Sequence, residues 1–165
     1  MLFRSSVDRL RLLRARRPRF LCCTPTYALR LVEVARQESI DLADSGVERI
    51  VVGGEPGGSI PAIRARIEEG WPGAVVIDHH GMTEIGPVSF SRPGEPSLLR
   101  LIHRAYLCEV LRPGTNEAVG PGENGELVLT TLGRAACPLL RYRTGDLVQA
   151  VALPNEDPAE FGLAG

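Results

Sequence analysis

Apolar positions recur along this chain with two different periods, and the period changes once. Val7, Leu10 and Leu13, with the aliphatic Leu12 beside them, give residues 1–19 an apolar side that Pro18 stops, which predicts a surface helix. "FLCC" (20–23) is a short apolar run. In "TPTYALRLVEVARQ", Thr24 can cap, Pro25 can take the first helical position, and Ala28, Leu31, Val32 and Ala35 share one face. "ERIVVGGE" reads as a strand over residues 50–52 ended by glycines. "SIPAIRARIEEGW" reads as a helix with Ser59 as cap, Pro61 in the first turn, and Ile63 and Ile67 one turn apart. "AVVID" is a further strand, ended by Asp78. Residues 20–78 thus alternate β-α-β-α-β, which implies a mainly parallel sheet covered by helices. Both glycine-bearing turns fall at the carboxyl edge of that sheet, where open α/β sheets bind ligands.

Beyond residue 86 the runs shorten and the helical period is lost. "LLRLIH", "AYLCEVLRP", "GELVLTTL", "PLLRYRTGD" and "LVQAVAL" are strand-like, and "PGTNEAVGPGENG" supplies breaks. They predict an antiparallel sheet or barrel portion. The expected organisation is a basic helix (1–19), an α/β subdomain (20–91), a linker at "RPGEPS" (92–97), a β-barrel portion (98–153) and a loose tail (154–165).

Composition narrows the function classes. At 165 residues with 44% apolar content and a net charge of −1, the chain is an ordinary globular domain, and nothing in its balance asks for nucleic acid or a membrane surface. The four cysteines, Cys22, Cys23, Cys108 and Cys137, have no C-x-x-C spacing and suit neither a disulfide framework nor a zinc knuckle. They read as reduced and mostly buried, which points to a cytoplasmic location. All 19 basic residues are arginine. A mechanism that needs a lysine cannot be run by this chain alone. Seven arginines crowd the first twenty residues against one acid, Asp8, but the apolar stretch there is too broken for a secretory core.

Three stretches carry chemistry. "VVGGEPGG" (51–58) runs a strand into glycines whose amides can cradle an anion or lie close to a flat ligand. It is neither a Walker loop nor a dinucleotide fingerprint, and it also suits a tight strand-to-helix turn. "DHHGMTE" (78–84) offers acids and histidines with metal-ligand chemistry. Adjacent strand residues point in opposite directions, however, so His79 and His80 rarely share one ion. The Asp-His-His triplet resembles the core motif of the DHH phosphoesterases, but those need an upstream Asp-x-Asp. Only Asp8, Asp41 and Asp44 lie upstream here. The histidines also suit a plain loop with Gly81 as its turn. "PLLRYRTGDL" (138–147) ends a strand in an acid that can accept two hydrogen bonds from a ribose diol.

The order of these stretches is more specific than any one of them. "TPTYALRLVEVA", "GGEPGGSIPAIRARIEE", "DHHGMTEIGPV", "CEVLRP" and "GENGELVLTTLGR…PLLRYRTGDLV" together resemble the adenylate-forming acyl-CoA synthetases, and within them the phenylacetate–CoA ligase group, over about residues 10–150. The resemblance implies part of the N-terminal domain of such an enzyme. It also implies ATP, Mg2+ and coenzyme A as reactants, with phenylacetate or a similar aryl or acyl carboxylate as substrate. The carboxylate attacks the α-phosphate to form an acyl-adenylate, and the thiol of coenzyme A displaces AMP. Cofactor-binding positions implied are Gly54, Glu55 and Pro56 against adenine, then Asp78, His79, His80, Gly81 and Met82 along the second motif. His80 stands where relatives usually carry an adenine-stacking tyrosine. Thr83 would bond the α-phosphate, Glu84 would hold magnesium, and these two form the catalytic pair. Asp146 would take the ribose hydroxyls. Gly81, Ile85, Gly86 and Pro87 would lie near the acyl group.

The resemblance also sets expectations about what is missing. Relatives carry a phosphate loop upstream and a C-terminal domain with a catalytic lysine, and neither has a counterpart here. The chain thus reads as an internal portion of a ligase, inactive by itself, whose partners are the remaining portions or a second copy. The competing expectation is a non-catalytic adenine-nucleotide-binding module.

Overall fold

The computed structural model describes residues 5–120, 122–153 and 161–164. The chain divides into two compact units. The first is Met1–His79 with Pro93–Ser97, and the second is His80–Arg92 with Leu98–Gly165.

The first unit opens with helix α1 (Ser6–Arg16). A capping box starts it, with Ser5 and Asp8 each accepting from the other's backbone amide, and a left-handed Arg17 ends it. Leu10 is fully buried, with Val7 and Leu13 packed beside it. Leu12 faces solvent, against expectation, because two residues along a helix is more than half a turn away from Leu10. Strand β1 (Phe20–Cys23) leads into α2 (Pro25–Gln37), where Thr24 accepts from the Tyr27 amide and Pro25 takes the first position, both as expected. Strand β2 (Arg49–Val52), helix α3 (Pro61–Gly70) and strand β3 (Val75–Met82) follow. β1, β2 and the start of β3 pair in parallel, Cys23 with Val52 and Val52 with Asp78. The expected β-α-β-α-β alternation is present. Its core is Leu31, Ile50, Val52, Ile67, Val76 and the buried Trp71, whose Nε1 donates to the Ala28 carbonyl at 3.2 Å.

The second unit is antiparallel. After β4 (Gly86–Arg92) and β5 (Glu95–Leu101) come β6 (Tyr106–Leu111), β7 (Asn124–Thr131), β8 (Tyr142–Ala152) and β9 (Phe161–Ala164). The spatial order is β4-β5-β9-β8-β7-β6, so the sheet is open and is no closed barrel among the described residues. Val88, Leu101, Val110, Leu127 and Leu129 fill its core.

Several expectations are corrected. Pro93-Gly94 between β4 and β5 is a two-residue turn rather than part of a six-residue linker. The boundary between units falls at His79/His80, not at residue 91. In the expected loose tail, residues 161–164 form β9, paired with β8 through Leu163 and Ala150. The rest of it, 154–160 and 165, lies outside the described residues. β3 does not stop at Asp78 but runs through Met82, with the turn at 83–85, because its end has β4 as a hairpin partner. Gly81 is therefore a strand residue.

Candidate functional site

In the first unit the glycine-rich loop after β2 lies against the β3 strand. A Cβ on Gly53 would come within 2.6 Å of the His79 carbonyl oxygen, and one on Gly58 within 2.4 Å of the Asp78 carboxylate, so both glycines are required by close approach. The Ser59 hydroxyl donates to Asp78 Oδ2. Ser59 does not cap α3, whose N-cap is Ile60 with no side-chain bond, because its hydroxyl is committed to Asp78.

Arg64 of α3 locks the same loop from below. It is buried, its Nε donates to the Gly58 carbonyl at 2.9 Å, and its Nη1 donates to the Val76 carbonyl. Glu68, one turn on, accepts from the Val76 amide at 3.0 Å and lies 3.8 Å from Arg64. Two of the three candidate adenine-lining residues, Gly54 and Pro56, are exposed. Glu55 is half-buried and accepts from the Thr26 amide at 2.7 Å. A side-chain hydrogen bond from Thr26 first, then that amide bond, and then weaker help from Thr24 hold the Glu55 carboxyl below its usual range.

In the second unit two distant motifs meet. His80 Nε2 and Asp146 Oδ2 are 3.0 Å apart across 66 residues of chain. Asp146 does not follow a strand end, as its motif suggested. It lies within β8, where Gly145 takes φ +79° and the register against β7 shifts between Glu126 and Val128. A glycine in the left-handed region lets the strand bulge and continue. Thr144 fixes that bulge: its hydroxyl donates to the Leu127 carbonyl at 2.9 Å and accepts from the Asp146 amide at 3.0 Å.

The hairpin turn carries Thr83 and Glu84, both exposed. Arg134 Nη1 donates to the Glu84 carbonyl at 2.5 Å. Tyr106 donates to the carbonyls of Ile85 (3.1 Å) and Pro87 (2.8 Å) from the core side, and its burial raises the phenol pKa. The turn is thus anchored at its backbone while the Thr83 and Glu84 side chains point to solvent. Among the described residues the Glu84 carboxylate has no hydrogen bond or ion pair, and no group of three His, Cys, Asp or Glu side chains is placed to hold a metal. A single free carboxylate fits magnesium, which takes one or two protein oxygens and completes its shell with phosphate and water.

The expected site residues therefore fall into two sets. Gly54, Glu55, Pro56, Asp78 and His79 belong to the first unit. His80, Gly81, Met82, Thr83, Glu84, Ile85, Gly86, Pro87 and Asp146 belong to the second. Within the second, His80 and Asp146 touch. His79 projects from the opposite face of β3 to His80, beside Gly53. Arg64, Arg134 and Tyr106 were not singled out from the sequence. The Arg64–Glu68 spacing was a usable signal; the other two had none, because their partners are backbone carbonyls.

The family model described as AMP-binding enzyme matches residues 2–135. The chain is 39% identical to the phenylacetate-coenzyme A ligase of Thermus thermophilus over 133 residues, covering 79% of this chain and 29% of that protein. It is 32% identical to the phenylacetate-coenzyme A ligase of Escherichia coli over 141 residues, covering 84% of this chain and 32% of that one. Among solved structures it is similar to an open conformation of 2-hydroxyisobutyryl-CoA ligase in complex with 2-HIB-AMP and CoA. The TM-score is 0.85 at 29% identity, over 96% of this chain and 37% of that one. The chain spans 29–32% of the length of the two curated ligases. No helix of the described residues is long and apolar enough to cross a membrane.

Proposed function

The chain belongs to the AMP-binding enzyme family, and on that premise we propose that it is a nucleotide-facing portion of an AMP-forming acyl-CoA ligase acting on phenylacetate or a similar aryl carboxylate in the cytoplasm. The observation that carries this reading is the 39% identity to a phenylacetate-coenzyme A ligase over 79% of the chain. The pairing of the two ligase motifs through His80 and Asp146 supports it.

The chemical difficulty is charge. A carboxylate must approach a polyanion, and negative charge builds on the α-phosphate oxygens as the acyl-adenylate forms. Thr83, exposed on an anchored turn, can donate its hydroxyl to such an oxygen. Bound magnesium would neutralise phosphate charge, and Glu84 is the residue that would hold it. Asp146, its backbone held by Thr144, would accept the ribose hydroxyls. In the first unit, Gly54, Glu55 and Pro56 would lie along adenine. Backbone positions 81 and 85–87 would border the acyl group.

AMP titration by calorimetry tests the nucleotide reading: saturable binding lost in Asp146→Asn is expected, and equal heats for both proteins would sink it. ATP–pyrophosphate exchange with phenylacetate tests the ligase reading. Negligible exchange by this chain is expected, with exchange appearing when a phosphate loop and a lysine-bearing domain are fused to it. No exchange from such a fusion would leave only a nucleotide-binding module.

A further inference from the structure

We propose that His80 is a positioning residue for the ribose subsite: its imidazole edge orients the Asp146 carboxylate, and the pair selects nucleotides that carry a 2′-hydroxyl. This rests on the reading of Asp146 as the ribose acceptor.

The Asp146 side chain is about half exposed (48%) on β8 and has two oxygens. Its backbone is held by Thr144, but nothing in that bulge fixes the carboxylate plane. Among the described residues the only side-chain partner of that carboxylate is His80, 3.0 Å from Oδ2. A carboxylate accepts only, so His80 Nε2 carries the proton and donates. Oδ1 and the second lone pair of Oδ2 are left to receive two vicinal hydroxyls. A free aspartate must give up rotamer freedom when a diol binds, whereas one already held by His80 has given it up in the unliganded protein.

The strand context makes this a property of position 80. β3 continues through Met82, so His80 and its neighbour His79 face opposite sides. Only His80 can reach β8, and 76% of its side-chain surface is already covered (exposure 24%). The interaction uses the ring edge. An edge bond to Asp146 and a face contact with a base use different parts of the ring. A tyrosine at this position would offer a similar face but place its donor beyond the Nε2 position. The histidine therefore adds a function that an adenine-stacking ring alone does not have.

The test compares AMP with 2′-deoxy-AMP by calorimetry on the full chain, in wild type, His80→Phe, His80→Gln and Asp146→Asn. Wild type is expected to prefer AMP about tenfold, the equivalent of one charge-assisted hydrogen bond. Phenylalanine keeps a flat face but has no edge donor, and the preference should fall to about twofold or less. Glutamine places an amide nitrogen near the Nε2 position and should restore most of the preference while weakening binding of both nucleotides. Imidazole 15N signals give a ligand-free check that needs no His80 variant: wild type should show the Nε2–H form of His80, perturbed in Asp146→Asn. If Asp146→Asn abolishes the preference while His80→Phe keeps it in full, the proposal is overturned and the Asp146 reading stands. An Nδ1–H form of His80 in wild type overturns it equally. If wild type binds no AMP, or binds both nucleotides equally, the ribose reading fails and this proposal with it.

Discussion

The guanidinium of Arg134 and the backbone carbonyl of Glu84 lie 2.5 Å apart across 50 residues of chain, and this bond ties the hairpin turn of the second unit to the loop after β7. A charge-assisted bond to a carbonyl is stronger than a neutral one. Because Arg134 is exposed, its removal should loosen the turn without unfolding the unit. Arg134→Ala is expected to weaken magnesium–ATP binding about five- to tenfold while leaving the melting temperature within about 2 °C. Unchanged affinity would separate this bond from the site.

Gly58 is required for a different reason. A Cβ there would sit 2.4 Å from Asp78 Oδ1 and 2.7 Å from Asp78 Cβ, within a loop also held by buried Arg64. Gly58→Ala should destabilise the first unit by about 1–3 kcal/mol through overpacking. Trp71, the one tryptophan, is fully buried in that unit and reports its unfolding by fluorescence in a urea titration. A wild-type midpoint for the variant would refute the close approach.

Glu55 provides a pH signature. The Thr26 amide donates to it at 2.7 Å, and its carboxyl is held below the usual range by the Thr26 side chain first and by that amide bond next. A depressed folded value means the stabilisation is present above the ordinary carboxylate pKa of about 4.3 and is lost as pH falls through the lower folded value. The Thr26 amide resonance should hold its position on acidification past about pH 4.3 and shift only below it. A shift centred on the ordinary value would contradict the bond.

The cysteines should divide into two pairs. Burial pushes the Cys23 thiol up to about 11, with smaller pushes from Cys22 and Glu55, and pushes Cys108 up to about 12. Cys22 and Cys137 are exposed and the other two half-buried, which corrects the expectation of mostly buried cysteines. At about pH 8 a thiol reagent should label those two rapidly and the other pair only on unfolding. Raised folded values favour the protonated thiol, so this contribution is intact below the ordinary thiol pKa of about 8.5 and falls as pH rises through the folded values. Four fast thiols in the native chain would overturn the burial assignment.

The β-α-β-α-β half was readable from residues alone because its information is local. Thr24 caps α2, Pro25 and Pro61 open their helices, and the apolar face of α2 repeats at helical spacing. β4 was not readable, because two of its inward positions are Ser89 and Ser91, both buried, and a buried serine looks like a loop residue in any apolar pattern. β9 was hidden for a related reason. Its four residues "FGLA" are a strand only because β8 and β5 lie on either side to pair with them.

Family, the identity of the chemistry-bearing residues and their order along the chain were already present in the string of letters, since side-chain type and local period are properties of neighbours in sequence. Which of those residues meet was not. His80 reaches Asp146 only because β3 continues as a hairpin strand and β8 bulges at Gly145, and both depend on backbone pairing with strands remote in sequence. Hydrogen-bond register between such strands is set by packing in three dimensions, and a one-residue slip would turn His80 to the other face.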